Sequence, residues 1–425
     1  MHGDARQPER IFFGWRVVGA AFVIAVFAWG VGFYGPSVFL GVLHLDRGWA
    51  VSVISAAVTC HFLVSAGVVT RLPVLHRRLG VAAATRAGAI SVSLGMLVWA
   101  SASQPWQLFP AAFLTGTGFA LTSGAAITAM VAPWFEHKRG AALAMAFNGA
   151  SIGGTIFAPL WMFLIATFGF AAAAASVGAL MVVTVWSLAG RFLRPTPIGM
   201  GVVPDGDPAQ EVGADARPTR PAEPCIPLPP GGAVWRDWRF ATLSIGFALG
   251  LFAQIGLFVN LVLLATPAIG AQWAGATVSL VTICAVAGRT VSGVLLPAST
   301  DWRVAAGVTF AVQATGTFAL LIAGSSSVPL FLLGCALFGF GVGNLLSLPP
   351  LIAAIEFAPA DVARVVALVT SVNQASYAFA PALLGVLRDV TAETSAPLVA
   401  TGLVQMAAAV VVLAGRRIRL ATMLT

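Results

Sequence analysis

Apolar runs of about twenty residues recur along this 425-residue chain from one end to the other. A run of that length, folded as an α-helix, spans the roughly 30 Å hydrocarbon core of a bilayer. Only 9% of the residues are charged, compared with about 25% in soluble domains. Lipid offers no hydrogen bonds to the backbone, so runs of this kind fold as helices. The sequence therefore predicts an all-α membrane protein.

We predict twelve transmembrane helices from these runs. Their approximate bounds are 16–42, 51–70, 82–102, 107–132, 140–164, 169–191, 240–264, 272–296, 304–324, 328–355, 365–387 and 396–415. Between the sixth and seventh runs lies a stretch rich in Pro, Asp and Arg, which is typical of a linker because it cannot bury an apolar core. We expect an N-terminal six-helix bundle over residues 1–193, a cytoplasmic linker over 194–238 and a C-terminal six-helix bundle over 239–425.

Lys and Arg residues fall almost entirely on one side of the predicted spans. With the N-terminus placed in the cytoplasm, all but three of the 23 Lys and Arg residues lie on the cytoplasmic side. The exceptions are Arg47 and Arg388 on the outer side and Arg289 within a span. This bias favours a multi-pass inner-membrane protein with both termini in the cytoplasm. It also accounts for the net charge of +8 without nucleic-acid binding.

Local patterns in or beside several spans point to one family. They are Gly14-Trp15 in the first span, Gly48-Trp49 in the second, Trp134 through Gly140 before the fifth, and Gly288-Arg289 with Gly293 in the eighth. In these patterns the chain resembles the major facilitator superfamily and, within it, the monocarboxylate and oxalate/formate transporter branch. The resemblance implies two pseudo-symmetric six-helix bundles, a monomer, and a secondary active transporter rather than an enzyme.

Arg289 is the one basic residue deep inside a predicted span. A charge at the bilayer centre costs roughly 2.5–3.5 kcal/mol on insertion scales, so such a residue is a candidate for function. Its guanidinium group presents a planar fork of donors that matches a carboxylate. We predict that Arg289 binds the anionic group of a small organic anion, with a monocarboxylate as first choice. The alternative is a structural arginine that bonds polar groups of a neighbouring helix.

Other polar side chains within the spans are candidates for shaping the same site. We predict that Tyr34, Asn260, Asn373, Gln374 and Tyr377 contact the substrate. Amide and hydroxyl groups are costly in hydrocarbon unless they are paired, so they are expected to face the interior. Hydrogen bonding between helices is the alternative explanation for each of them.

Proton coupling has one candidate at mid-membrane, His61 in the second span, because histidine changes charge near neutral pH. All Asp and Glu residues fall in loops or at span edges. Several members of the family carry an Asp one turn before the arginine, where this chain has Ala285. The alternative for His61 is a neutral ring bonded to a nearby hydroxyl. Symport through His61, a proton carried with the substrate, anion exchange and uniport all remain open.

Two other functions compete with anion transport. Efflux of hydrophobic or zwitterionic compounds would keep the fold and change the cargo. An intramembrane hydrolase would use Ser151 and His61, since Gly149–Gly153 fits the G-x-S-x-G pattern, but that motif needs a strand–turn–helix context. We expect no cofactor, and the five His residues show no metal-ligand spacing. The expected function is transport across the inner membrane by alternating access.

Overall fold

The computed structural model describes residues 12–206, 231–297, 300–391 and 395–421. In the N-terminal half, its α-helices are α1 Phe13–Gly32, α2 Gly35–Arg47, α3 Val51–Leu79, α4 Val81–Ser101, α5 Leu108–Thr122, α6 Gly124–Val131, α7 Arg139–Phe168 and α8 Phe170–Phe192. In the C-terminal half they are α9 Trp238–Ile269, α10 Ala271–Leu295, α11 Trp302–Ala323, α12 Val328–Val342, α13 Leu348–Glu356, α14 Pro359–Tyr377, α15 Ala380–Thr391 and α16 Ser395–Ala421.

These helices confirm the predicted membrane fold, with four of the twelve spans broken in two. The first span consists of α1 and α2, the fourth of α5 and α6, the tenth of α12 and α13, and the eleventh of α14 and α15. Within the described residues, 11 helices are long and apolar enough to cross a membrane. The eleventh span is not in that set, because α14 carries polar residues such as Asn373 and Gln374.

Three of the four breaks lie beside a proline. Pro36 opens α2 and Pro349 opens α13, because proline lacks an N–H and fits only the first turn of a helix. Pro381 occupies the first turn of α15 in the same way. At Ser123 the backbone becomes extended, with φ −110° and ψ −169°. Non-helical backbone inside a membrane is tolerated where protein buries it or where it lines a cavity, so the breaks mark the interior of the bundle.

The two halves repeat one packing scheme. In the N-terminal half α1 packs on α7, α3 on α5, α4 on α5, and α4 on α8. The equivalent pairs of the C-terminal half are α9 on α14, α10 on α12, α11 on α12, and α11 on α16. The same neighbours in the same order are the result expected from a duplicated six-helix unit.

The halves meet through two long pairs, α3 with α14 and α7 with α10. We call the end of the bundle that carries Arg77, Arg139, Arg239, Arg303 and Arg416 the basic end. There α7 and α10 are close enough that a Cβ atom on Gly140 would lie 3.5 Å from the main-chain oxygen of Gly293. At the opposite end α2 and α15 pack mainly on helices of their own half. The conformation is therefore closed at the basic end.

Two features at the basic end differ from the sequence-based expectation. Helix α3 continues to Leu79 rather than ending near residue 70, because arginine side chains allow a helix to extend past the hydrocarbon and keep their charges in water. Arg303, expected in a loop on the cytoplasmic side, lies in the first turn of α11 and is only 2% exposed. Residues 207–230 of the predicted linker lie outside the described residues.

Candidate functional site

A central cavity of about 90 Å³ lies between the two halves. All four broken spans contribute to its wall, through residues at or beside the breaks such as Tyr34, Ser123, Leu345 and Tyr377. Its polar lining residues are Tyr34, Ser123, Thr128, Ser151, Gln254, Arg289, Thr370, Asn373, Gln374 and Tyr377. Discontinuous helices around a site between two repeats are the arrangement found in many secondary transporters.

Arg289 lies on the wall of this cavity and connects the two halves. Its side chain is only 2% exposed. Nε donates a hydrogen bond to the main-chain oxygen of Gly343, in its own half. Nη1 donates to α7 of the other half, where the main-chain oxygen of Phe147 is 2.6 Å away. Asn148 Oδ1 at 3.2 Å and Ser151 Oγ at 3.4 Å are further acceptors on α7.

The charge of Arg289 has no acidic partner in its surroundings. None of the described residues that line the cavity is Asp or Glu. Arginine stays protonated in proteins, so backbone carbonyls and neutral side chains are its protein partners. Within the described part of the chain, no acceptor is bonded to Nη2. The cavity wall therefore holds one buried positive charge, which an anion in the cavity is able to neutralise.

Four of the predicted contacts line the cavity with Arg289. They are Tyr34, Asn373, Gln374 and Tyr377. Asn260 does not line it, and its Nδ2 donates to the main-chain oxygen of Gly256 in the same helix, 2.8 Å away. Gln254 lines the cavity from α9 instead. Residues six apart on an α-helix point in directions about 120° apart, so the two amides of α9 face different sides of the helix.

A polar chain behind the cavity holds Gln254 in place. Nε2 of Gln313, which is fully buried on α11, donates to Gln254 Oε1 at 2.8 Å. One turn further along α11, Thr317 bonds Gln405 on α16, with Oγ1 2.8 Å from Oε1. Because the oxygen of Gln254 is engaged by Gln313, its NH₂ group is directed away from α11. Gln313 and Gln405 were not predicted as site residues, although both are amides in the middle of apolar spans.

Aromatic rings cover the cavity on the side away from the basic end. Phe33 beside the first break contacts Tyr377 across the halves, with ring centroids 6.1 Å apart. Phe62 contacts the same tyrosine at 5.4 Å, and Tyr34 contacts Phe258 at 6.4 Å. Edge-on and tilted pairs at these separations are attractive. These contacts join the two halves on that side of the cavity.

His61 lies apart from the cavity. It is fully buried, and its Nδ1 is 2.9 Å from Thr115 Oγ1 on α5. Thr115 Oγ1 also lies 3.0 Å from the main-chain oxygen of Ala111, so this hydroxyl is placed between the ring and the helix backbone. Ser151, on α7, lies next to Arg289 and is not bonded to His61. The arrangement does not form the Ser–His pair that a hydrolase would need.

Two neighbouring ion pairs at the basic end lie in the C-terminal half. Arg303 forms two bonds with Glu356, Nε to Oε1 at 2.6 Å and Nη2 to Oε2 at 2.8 Å. Its Nη1 donates to Thr242 Oγ1 at 3.0 Å. Beside this pair, Arg239 bonds Asp237 at 2.7 Å. Burial raises the pKa of Asp237, whereas its hydrogen bonds and ion pair with Arg239 lower it. The second effect is larger, so the pKa lies below the usual value.

Asp205, in the first part of the linker, is bound to the segment that precedes α7. Its carboxylate accepts the main-chain N–H groups of Glu136, His137 and Lys138 at 3.1, 2.7 and 3.1 Å. Burial raises the pKa of this carboxyl group, whereas the hydrogen bonds from these N–H groups and from the His137 ring lower it. The bonds prevail and the pKa lies below its ordinary value. Within the described residues, no group of three or more His, Cys, Asp or Glu side chains is placed to hold a metal ion.

Comparisons with known proteins agree with this architecture. A family model described as the Major Facilitator Superfamily matches residues 20–381. Monocarboxylate transporter 12 of Rattus norvegicus is 24% identical over 425 aligned residues, which cover 94% of this chain and 84% of that protein. Monocarboxylate transporter 3 of Rattus norvegicus is 30% identical over 185 residues, covering 43% of this chain and 37% of that protein. Monocarboxylate transporter 13 of Bos taurus is 28% identical over 215 residues, covering 48% of this chain and 47% of that protein.

A solved structure shows the same fold. The crystal structure of the human organic anion transporter MFSD10 (TETRAN) aligns with a TM-score of 0.62 over 96% of this chain and 100% of that one. The identity is 18%, so this likeness concerns the fold alone. The family match over most of the chain carries the assignment. The chain belongs to the major facilitator superfamily and is a multi-pass membrane transporter rather than an enzyme.

Proposed function

We propose that this transporter moves a small organic monoanion, with a monocarboxylate as first choice, and that Arg289 binds its anionic group. The observation that carries the proposal is the buried guanidinium on the cavity wall, which no described acidic residue of that wall neutralises. In a low-dielectric cavity an arginine–carboxylate pair is stronger than in water. The single positive charge favours a substrate with a single negative charge.

The neutral groups around Arg289 support the same reading. Gln254 directs its NH₂ group away from Gln313, and the hydroxyls of Tyr34 and Tyr377 lie on the same wall. These groups donate hydrogen bonds to the oxygens of a bound anion. Asn373 and Gln374 contribute two further amides from α14. A few polar groups on a largely apolar wall are typical of small-molecule sites, where they fix the orientation of the ligand.

The size of the cavity favours small cargo. Its volume of about 90 Å³ is well below the roughly 300–1,000 Å³ of pockets for drug-sized ligands. Efflux of bulky hydrophobic compounds is therefore not favoured by this conformation. The similarity to monocarboxylate transporters 12, 3 and 13 adds support for a carboxylate.

Alternating access would change the partners of Arg289. In the conformation closed at the basic end, the guanidinium group bonds α7 of the opposite half through Phe147. When that end opens, α7 and α10 separate and these bonds break, whereas the bond to Gly343 remains within one half. A substrate anion would then compensate the exposed charge. We propose that the two bundles, residues 1–193 and 239–425, move as units joined by the linker 194–238.

Coupling to protons is open to a direct test at His61. The ring is buried against Thr115 and lies outside the cavity wall, which supports a packing role over proton relay. A His61→Gln variant should keep the dependence of uptake on an imposed pH gradient. If the gradient dependence disappears while exchange without a gradient persists, His61 carries the coupling proton.

The orientation in the membrane follows from the distribution of arginines. We propose that the protein lies in the inner membrane with its basic end facing the cytoplasm, which places both termini on that side. Maleimide labelling of single cysteines in a variant without native cysteines tests this. A cysteine at Arg78 should be labelled only after the membrane is permeabilised, and a cysteine at Asp46 should be labelled in intact cells.

Counterflow in proteoliposomes tests the function. Vesicles loaded with one unlabelled carboxylate are diluted into the same labelled compound, and a panel of mono- and dicarboxylates is compared. We expect transient accumulation of at least one monocarboxylate by the wild-type protein and loss of that signal in Arg289→Gln. Accumulation that is unchanged in the variant, or movement of neutral hydrophobic compounds alone, would contradict the proposal.

A further inference from the structure

Asn148 on α7 bonds two neighbouring residues of α10, across the boundary between the halves. Its Oδ1 accepts a hydrogen bond from Arg289 Nη1 at 3.2 Å, and its Nδ2 donates to Thr290 Oγ1 at 3.0 Å. Arginine offers donors alone, whereas a threonine hydroxyl is able to accept, so this orientation of the amide satisfies both partners. Asn148 is not among the residues that line the central cavity. It therefore bonds the guanidinium group without being placed to contact the substrate.

The bonds of Asn148 lie at the inner end of the contact between α7 and α10. Nearer the basic end, small residues make this contact. A Cβ atom on Gly293 would collide with the side chain of Ala144 and would lie 3.0 Å from the main-chain oxygen of Gly140. Asn148 lies one helical turn beyond Ala144 on α7, and there hydrogen bonds replace close packing. Closure of the basic end thus brings Asn148 to Arg289, and opening must separate them.

One guanidinium group serves both the closed contact and the cavity. Nη1 of Arg289 is bonded by α7, through the main-chain oxygen of Phe147, Asn148 Oδ1 and Ser151 Oγ. Nε is bonded by the main-chain oxygen of Gly343. All of these acceptors are neutral oxygens, and a buried charge without a partner of opposite sign is costly. In the closed conformation Asn148 therefore orients the charge of Arg289 and does not neutralise it.

We propose that Asn148 is a positioning residue that links closure of the basic end to the presence of an anion in the cavity. This inference rests on the proposed function, in which Arg289 binds the substrate anion. Closure with an anion at Arg289 buries a neutral pair, whereas closure without one buries a net charge. A ligand shifts such an equilibrium by its different affinity for the two conformations. Exchange of one anion for another should therefore be faster than net movement of anions in one direction.

Efflux from proteoliposomes tests this link. Vesicles are loaded with a labelled monocarboxylate that gives a counterflow signal. Net efflux is measured into buffer alone, and exchange is measured into buffer that contains the same compound unlabelled. Asn148→Asp is nearly isosteric and places a carboxylate oxygen where Oδ1 lies, 3.2 Å from Arg289 Nη1. Asn148→Leu, of similar size, removes both hydrogen bonds without adding charge and is the matched control. The melting temperature of each protein confirms that it is folded.

In the wild type we expect exchange to be at least roughly tenfold faster than net efflux, because an unoccupied carrier must bury the charge of Arg289 when it closes. In Asn148→Asp the protein neutralises that charge itself, so net efflux should approach exchange. The KM for the anion should rise in the same variant, because the new carboxylate competes for Arg289. Asn148→Leu should keep exchange faster than net efflux, even if both rates fall.

Equal rates of exchange and net efflux in the wild type would overturn this inference, while the exchange itself would still support the proposed function. A folded Asn148→Asp variant with the wild-type ratio of the two rates, or with neither flux, would also overturn it. The same fall of the ratio in Asn148→Leu would show that the charge is not the cause and would overturn it as well. If the wild type exchanges no monocarboxylate at all, the proposed function fails and this inference fails with it.

Discussion

Arg289 on α10 donates a hydrogen bond to the main-chain oxygen of Phe147 on α7, across the boundary between the two halves, at 2.6 Å. The acceptor is a helix carbonyl rather than a side chain, so no substitution at position 147 removes it directly. The bond holds the α7–α10 contact at the level of the central cavity. The residue proposed to bind substrate is therefore also a link between the halves, and both roles have measurable consequences.

Closure of the basic end should be trapped by a crosslink between α7 and α10. Asn148 Nδ2 lies 3.0 Å from Thr290 Oγ1. In a variant without native cysteines, Asn148→Cys with Thr290→Cys should crosslink under mild oxidation and lose transport, because the halves are unable to separate there. Reduction should restore uptake. A crosslink between Ser93 and Gly178, which touch within one half, is the control and should leave uptake intact.

The bond from Gln313 to Gln254 should matter for substrate affinity. Gln313→Leu removes the donor that fixes the Gln254 amide. Loss of one hydrogen bond of about 1 kcal/mol predicts a roughly fivefold rise in KM with a smaller change in kcat. Thr315→Val, an exposed position of the same helix, is the control. An unchanged KM in Gln313→Leu would show that Gln254 does not need this hydrogen bond in order to bind the substrate.

The buried pair of Arg303 and Glu356 should stabilise the C-terminal half. Glu356→Gln leaves the Arg303 charge buried without its partner and should lower the free energy of unfolding by about 3–5 kcal/mol. The exposed pair of Arg416 and Asp301 is the comparison, since removing such a pair costs about 0–1 kcal/mol. Thermal unfolding in detergent measures both. Similar melting temperatures for Glu356→Gln and Arg416→Gln would contradict the prediction.

The carboxyl group of Asp205 should make stability depend on acid pH. Folding lowers the pKa of this group from its ordinary value of 3.8. Its contribution to the free energy of unfolding is therefore fully present above pH 3.8 and is lost as the pH falls through the pKa of the folded state. Asp205→Asn should melt lower than the wild type at pH 7, and the difference should shrink below about pH 4. Asp46→Asn, an exposed position, is the control. A difference that stays constant from pH 7 to pH 3 would contradict the assignment.

Patterns within single spans were enough to predict the fold. The apolar runs fix the number of spans, and the arginine bias and the Pro-rich stretch divide them into halves. Tyr34, Asn373, Gln374 and Tyr377 were predicted to shape the substrate site, and they line one cavity together with Arg289. These residues share a simple signal, a polar side chain in the middle of an apolar helix or beside a break.

Contacts between distant spans were not predictable in the same way. The choice between Gln254 and Asn260 depends on the rotation of α9, which packing against α14 and α16 sets. Arg303 lies at the edge of its span, and its partner Glu356 is far away in the sequence, so no local pattern shows that the pair is buried. The binding of Asp205 to the N–H groups before α7 depends on the path of the linker, which its composition does not specify.

Binding of a carboxylate to the purified transporter, measured by isothermal titration calorimetry for the wild type and Arg289→Gln, tests the central claim most directly. The ligand is the monocarboxylate with the strongest counterflow signal, and the melting temperature of each protein confirms that it is folded. Removing one partner of a buried charge pair costs about 2–5 kcal/mol, so we expect the Kd to rise at least roughly 30-fold in the variant. An equal Kd for the two folded proteins would contradict the claim that Arg289 binds the substrate.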